Sequence, residues 1–124
     1  MRDTVNTSDA PASAFYSQAV RAAGLIFVSG QSGQDPSTGQ FAGPTIGEQT
    51  RQSLMNIKAI LEAAGSSMEN IVSATFILKD PEDFAGLNGE WESWFRHDPP
   101  ARQGAKLPVD VDGLLVSIAV VAKE

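Results

Sequence analysis

The sequence predicts a single α+β domain in which two helices pack on one face of a six-stranded sheet. Two segments show the three- and four-residue spacing of apolar residues that is typical of amphipathic helices, and a β-branched strand separates them. Three short strands precede the first helix, and two follow the second. Helices distributed among strands in this way usually gather on one face of the sheet.

The strands before the first helix are short. Residues 4–7 and 17–22 are weakly strand-like, and Ala23-Gly24 forms a tight turn into the apolar run Leu25–Val28. Because this run is continuously apolar, we predict a strand that is buried on both faces. Ser29-Gly30-Gln31 would end that strand and leave the serine hydroxyl free.

The first helix is predicted from about Ile46 to Ala64, and Gly65 follows it where glycine commonly ends a helix. Ile71–Leu78 is then a strand, because it is rich in β-branched and aromatic residues. The helix has one inward-facing stripe, which consists of Thr50, Leu54, Ile57, Leu61 and Ala64.

The second helix begins at Asp80-Pro81, where the aspartate caps the helix and the proline occupies its first turn. Its stripe consists of Phe84, Leu87, Trp91 and Phe95. Asn88 lies on the same inward face, and a buried amide must find hydrogen-bond partners. Asn88 is therefore either a structural residue that ties a loop or part of a site. A loop over residues 109–113 and an apolar strand over residues 114–122 complete the chain.

Arg102 lies at the junction between a proline-rich loop and a short apolar run. A guanidinium can bind a small carboxylate through two parallel hydrogen bonds, which makes Arg102 a candidate binding residue. The alternative is an ordinary solvated surface residue, which is what most arginines of small domains are.

Composition limits the classes of function. The chain has 124 residues, 42% of them hydrophobic, which fits one domain over residues 1–124. Its net charge of −6 argues against a nucleic-acid partner. The absence of cysteine and the single histidine, His97, exclude a thiolate nucleophile and a two-histidine metal site. Since no apolar run approaches the roughly 20 residues that span a bilayer, we predict a cytoplasmic protein with no membrane partner.

Five segments in order resemble the RidA family, also called YjgF or endoribonuclease L-PSP, over about residues 5–121. The segments are Tyr16-Ser17-Gln18, Val28-Ser29-Gly30-Gln31, Arg51–Asn56, Asp83–Asn88 and Pro100-Ala101-Arg102. The resemblance implies a chorismate-mutase-like fold with a mixed six-stranded sheet, assembled as a homotrimeric barrel. It also implies hydrolysis of the enamines and imines of small 2-keto acids, with release of ammonia and without a cofactor or metal.

The resemblance assigns roles to five residues. Arg102 would be the catalytic residue that binds the substrate carboxylate, and Asn88 would support the pocket wall. Tyr16 would line the pocket from the neighbouring chain, while Ser29 and the backbone of Gly30 would contact the substrate near the reacting carbon. The ligand would be a small 2-imino or 2-keto acid at a subunit interface.

Three features depart from the family pattern. Ala14-Phe15 replaces the usual Gly-Pro before Tyr16, and Leu107-Pro108 comes about three residues early, which shortens the strand after Arg102. Leu114 and Val116 stand where the family usually has glutamates, one of which positions water or protonates the product nitrogen. Three other carboxylates are near in sequence: Glu90, Glu92 and Asp98.

These features leave three hypotheses. The first is a RidA-like deaminase, and the second is a trimer that binds small carboxylates with weak or no deaminase activity, because Val116 replaces the acid. The third is an endoribonuclease, which the negative charge and the lone His97 both disfavour. We interpret His97 as a residue that interacts with the C-terminal end of a helix dipole.

Overall fold

The computed structural model describes residues 3–124, which form six strands, two α-helices and two short 3-10 turns. In chain order these are β1 (Asp3–Val5), β2 (Ala19–Ala22), β3 (Leu25–Ser32), α1 (Ile46–Ala63), the 3-10 turn Met68–Asn70, β4 (Ile71–Leu78), the 3-10 turn Pro81–Asp83, α2 (Phe84–Trp94), β5 (Ala101–Lys106) and β6 (Val116–Lys123). The predicted order of strands and helices is confirmed.

The sheet is mixed and has the strand order β1-β2-β3-β6-β4-β5. Neighbouring strands are antiparallel except β4 and β5, which run parallel. A parallel pair needs a crossover, and α2 provides it. The last strand of the chain, β6, therefore lies in the middle of the sheet, and β5 lies at one edge.

The core lies between the helices and one face of the sheet. On β6 the alternate residues Val116, Ile118, Val120 and Ala122 are buried, as a strand covered on one face requires. All five residues of the predicted α1 stripe are buried, and so are Leu87 and Trp91 on α2. In the part of the chain that the structure describes, no helix is long and apolar enough to cross a membrane.

The polar residues of α1 bind the bulged end of β3. The pairing of β3 with β6 shifts register between Val28 and Gln31, which marks a β-bulge. Ser53 Oγ donates to the carbonyl oxygen of Gln31, and Asn56 Nδ2 donates to the carbonyl oxygens of Ser32 and Gln34, at 3.2 and 2.9 Å. These bonds hold the bulge, which contains Ser29 and Gly30, against the helix.

Three expectations about β3 are wrong. Phe27 remains 44% exposed, because the helices cover one face of the sheet and Phe27 points to the other. Ser29-Gly30-Gln31 does not end the strand, which continues through the bulge to Ser32. The Ser29 hydroxyl is not free either, since Oγ donates to the carbonyl oxygen of Ser17 at 2.6 Å.

The face of the sheet without helices, which we call the open face, carries apolar and hydroxyl side chains. Strand pairing aligns Phe27 with Val121 and Val121 with Ser73, and aligns Ala119 with Thr75. This face therefore exposes apolar area across β3, β6 and β4 within a single chain. Exposed apolar patches of this kind commonly mark an interface.

We predict that Asn56→Ala lowers the free energy of unfolding by about 2–3 kcal/mol, because it leaves two backbone carbonyls without their donor. The matched control is Met55→Ala at the neighbouring, exposed position of α1, which should cost less than about 1 kcal/mol. Urea unfolding at one fixed protein concentration measures the free energy of unfolding of both variants. Equal losses for the two variants would contradict the role given to Asn56.

Candidate functional site

β5 directs the Arg102 side chain to the helix-covered face at the edge of the sheet. Arg102 is paired with Ala74, which is paired with Val120, and both partners are buried beneath the helices. Because side chains level with each other on neighbouring strands point to the same face, Arg102 lies beside α2. It is half-buried.

Three aromatic rings surround the Arg102 guanidinium. Its Cζ lies 4.9 Å from the ring centroid of Phe76, 5.1 Å from that of Trp91 and 5.6 Å from that of Phe84. At these distances the ring faces attract the cation. Phe76 and Phe84 also stack on each other, with centroids 5.7 Å apart. We call these three rings the aromatic cage.

Asn88 orients the guanidinium. Arg102 Nη1 donates to Asn88 Oδ1 at 2.8 Å, so the inward-facing amide has the arginine as its partner. Among residues 3–124 no carboxylate lies within 4 Å of the guanidinium, and most of its five N–H donors are left for an external acceptor. The arrangement presents a fixed cation that can bind a carboxylate through two hydrogen bonds.

Gly104 makes room for the aromatic cage. A Cβ atom at this position would overlap the Phe76 ring, which therefore lies directly over the glycine backbone. Sequence analysis named neither Phe76 nor Gly104 as part of the site. Arg102 and Gly104 lie two residues apart on one strand, so they share a face of the sheet. Once β5 is paired with β4, this spacing places Gly104 beside Phe76 and is the sequence feature that points to both.

The other predicted site residues lie together elsewhere on the chain. Tyr16 is 54% exposed and lines two adjoining clefts, one with Ser29 and the other with Gly30. Gly30 faces the open face of the sheet, because a Cβ there would lie 2.7 Å from Ser117 Oγ. The tight approach of these two residues explains why a glycine is needed at position 30.

A single chain does not bring the two groups of residues together. β3, which carries Gly30, and β5, which carries Arg102, are separated by β6 and β4, a distance of about 14 Å at the usual strand spacing. Gly30 and Arg102 also point to opposite faces of the sheet. The structure thus unites Arg102 with Asn88, and Tyr16 with Ser29 and Gly30, as two separate half-sites.

Comparison with known proteins decides the family. The sequence model described as endoribonuclease L-PSP matches residues 7–124. The chain belongs to the RidA family. It is 41% identical to a RutC family protein of Pyrococcus horikoshii, with 98% of each chain covered. It is 37% identical to the 2-iminobutanoate/2-iminopropanoate deaminase of Rattus norvegicus, over 98% of this chain and 90% of the rat protein.

The fold agrees with solved structures of RidA-family proteins. RidA from the Antarctic bacterium Psychrobacter sp. PAMC 21119 superposes with a TM-score of 0.91 at 35% identity, covering 98% of this chain and 99% of that one. The predicted chorismate-mutase-like architecture, with two helices and a six-stranded mixed sheet, is thereby confirmed.

The two positions at which the family resemblance leads us to expect glutamates lie on β6 or just before it. Val116 is fully buried in the core, and Leu114 is half-buried just before β6. Glu90 accepts hydrogen bonds from Arg51 Nη2 at 3.2 Å and from Trp94 Nε1 at 2.8 Å, so its carboxylate is directed away from Arg102.

The shortened segment after Arg102 still forms a regular strand. β5 pairs with β4 from Ala101 opposite Ser73 to Lys106 opposite Leu78, where β4 itself ends. The chain leaves the sheet immediately afterwards at Leu107-Pro108. β5 therefore ends level with its partner strand, and the proline follows directly.

We predict that Gly104→Ala lowers stability by about 1–3 kcal/mol, because the added methyl group displaces the Phe76 ring from the aromatic cage. Gly89→Ala is the matched control: no atom lies within 4 Å of its added Cβ, and alanine in a helix interior should stabilise by about 0.5–1 kcal/mol. Thermal unfolding measures both. A neutral Gly104→Ala variant would show that the ring does not need this space.

Proposed function

We propose that this RidA-family protein hydrolyses the reactive imines and enamines of small 2-keto acids, such as 2-iminobutanoate and 2-aminoacrylate. The observation that carries the proposal is Arg102, a cation fixed by Asn88 and the aromatic cage, with no carboxylate of the described residues beside it. The deaminase name of the rat relative supports the same reaction.

The reaction requires little of the protein. Water adds to the electrophilic carbon of the C=N bond, the nitrogen is protonated, and the C–N bond breaks to give the 2-keto acid and ammonia. The reacting carbon is bonded to the substrate carboxylate, so a guanidinium that holds the carboxylate also fixes the carbon. Arg102 thus positions the substrate, and the reaction as written requires no cofactor.

The complete site would be shared between copies in a homotrimer, with Tyr16, Ser29 and Gly30 of one copy placed beside Arg102 of its neighbour. Three observations support this arrangement. The two half-sites lie on opposite faces of one chain, the open face carries exposed apolar side chains such as Phe27, and β5 has an unpaired edge. Assembly would cover the open face and complete the cleft.

A second candidate is a trimer that binds small carboxylates with weak or no deaminase activity. The buried Val116 favours it, because the usual acid is missing and no ion pair links another carboxylate to Arg102 among residues 3–124. General acid–base help is worth roughly 10²–10⁴ in rate, so its loss would slow the hydrolysis of a labile imine without abolishing it. An endoribonuclease remains disfavoured, since the net charge of −6 opposes RNA binding.

We predict that Arg102→Ala lowers kcat/KM for 2-iminobutanoate by about 10–100-fold, because a charged, bidentate contact to the substrate is lost. Arg102→Lys should recover part of the activity, since it keeps the charge and loses the planar fork. The imine is generated in situ by threonine dehydratase, and keto-acid release is followed. Arg96→Ala, an exposed arginine after α2, serves as the control and should match the wild type.

Two outcomes would contradict parts of this proposal. If the folded wild-type protein does not exceed the spontaneous rate, the deaminase proposal is wrong. If the wild type is active and Arg102→Ala equals it, the role given to Arg102 is wrong.

We predict that mixed trimers of Tyr16→Ala and Arg102→Ala regain activity. Each cleft would take its Arg102 half from one copy and its Tyr16 half from the next, so about a quarter of the clefts in a one-to-one random mixture would have both halves intact. The two variants are co-refolded, and activity is compared with that of each variant refolded alone.

Two controls make the mixing result interpretable. Light scattering should give a mass of about 39 kDa, three times the 13.1 kDa of the chain. Folded trimers that are mixed without refolding should stay at the activity of the separate variants. Trimers that co-refold without gaining activity would show that the cleft is not shared in this way.

A further inference from the structure

A second cation lies on the same face of β5 as Arg102. Arg102, Gly104 and Lys106 are paired with Ala74, Phe76 and Leu78, which are buried on the helix-covered face. The Arg102 and Lys106 side chains therefore rise from the same face of the strand. Four residues along a strand separate their Cα atoms by about 13 Å.

An apolar cleft of about 330 Å³ lies along this line. It is lined by Phe76, Leu78, Pro81, Phe84, Gly104, Ala105 and Lys106. Phe76 and Phe84 are also rings that contact the Arg102 guanidinium, so the cleft borders the aromatic cage. The Phe76 ring lies over Gly104, between the two cations, so a ligand that reaches both must pass over this ring.

The Lys106 ammonium group is available to a ligand. Lys106 is exposed, and among residues 3–124 no carboxylate lies within 4 Å of its Nζ. The nearby turn Pro81–Asp83 and its cap carry three carboxylates, those of Asp80, Glu82 and Asp83, and none of them forms an ion pair with Lys106.

We propose that this site, taken as the imine site of the proposed function, selects 2-imino acids with a second carboxylate, of the 2-iminoglutarate class. Arg102 binds the carboxylate next to the reacting carbon, and Lys106 binds the distal one. The carboxyl carbons of a five-carbon diacid lie about 5 Å apart. Adding about 4 Å for each charged contact gives a span of about 13 Å between the two charged groups, which Arg102 and Lys106 provide when their side chains rise in parallel from Cα atoms about 13 Å apart.

The apolar part of the cleft accommodates the methylene groups between the two carboxylates. The rings of Phe76 and Phe84 and the side chain of Leu78 form its walls. A cleft with the same walls would also admit an uncharged alkyl chain, and only Lys106 distinguishes the two kinds of ligand. The test therefore compares a diacid with an alkyl analogue of the same shape.

The test measures binding of the stable 2-keto acid products by titration calorimetry on the assembled protein. 2-Oxoglutarate is compared with 5-methyl-2-oxohexanoate, in which an isopropyl group replaces the distal carboxylate. We expect the wild type to bind 2-oxoglutarate at least about tenfold more tightly. Lys106→Met should abolish this preference and Lys106→Arg should retain it, while Lys123→Met, an exposed lysine at the end of β6, should leave it unchanged.

Equal or tighter binding of the alkyl analogue by the wild type overturns the inference, and so does a diacid preference that survives Lys106→Met. Hydrolysis of 2-iminoglutarate, generated by glutamate oxidase with catalase present, is measured in parallel with 2-iminobutanoate. A Lys106-dependent preference in binding without hydrolysis of either imine supports the diacid site and refutes the deaminase proposal. Hydrolysis of 2-iminobutanoate without any diacid preference refutes the diacid site alone.

Discussion

The hydrogen bonds from α1 to the carbonyl groups of β3 are the constraint on which the geometry of this domain depends. A β-bulge leaves backbone groups without partners in the sheet, and an unpaired buried carbonyl is costly. Just after the bulge, Ser53 and Asn56 donate to backbone carbonyls at and beyond the end of β3, from the helix that also carries the core residues Leu54 and Ile57. The helix that forms the core therefore also fixes the end of β3 beside the bulge.

A second constraint acts at the edge of the sheet, where Arg102 is half-buried beside aromatic rings. A guanidinium tolerates this environment because it is weakly hydrated and its plane can stack on ring faces. The Asn88 amide accepts one of its N–H groups, and the remaining donors stay open. The cation is thus held in place before any ligand arrives, which reduces the entropy that binding must remove.

The proposed trimer would divide one site between copies of this small domain. In one chain, Gly30 faces the open face of the sheet and Arg102 faces the helices, with two strands between them. No rotation of a side chain brings them together. Under the proposed trimer, the same assembly step covers the apolar open face and completes the cleft, so stability and function would depend on a single interface.

Features that depend on neighbouring residues could be predicted from the sequence. The stripe of α1, its end near Gly65, the strand Ile71–Leu78 and the inward direction of Asn88 follow from periodicity and from helix signals that act over a few residues. The tertiary structure decided what depends on remote segments: the β3 bulge, the exposure of Phe27, the position of the Phe76 ring over Gly104 and the separation of the half-sites. Strand pairing sets these features. It joins segments that are far apart in the sequence, and the local spacing of apolar residues does not determine which strand each segment pairs with or which face of the sheet its side chains occupy.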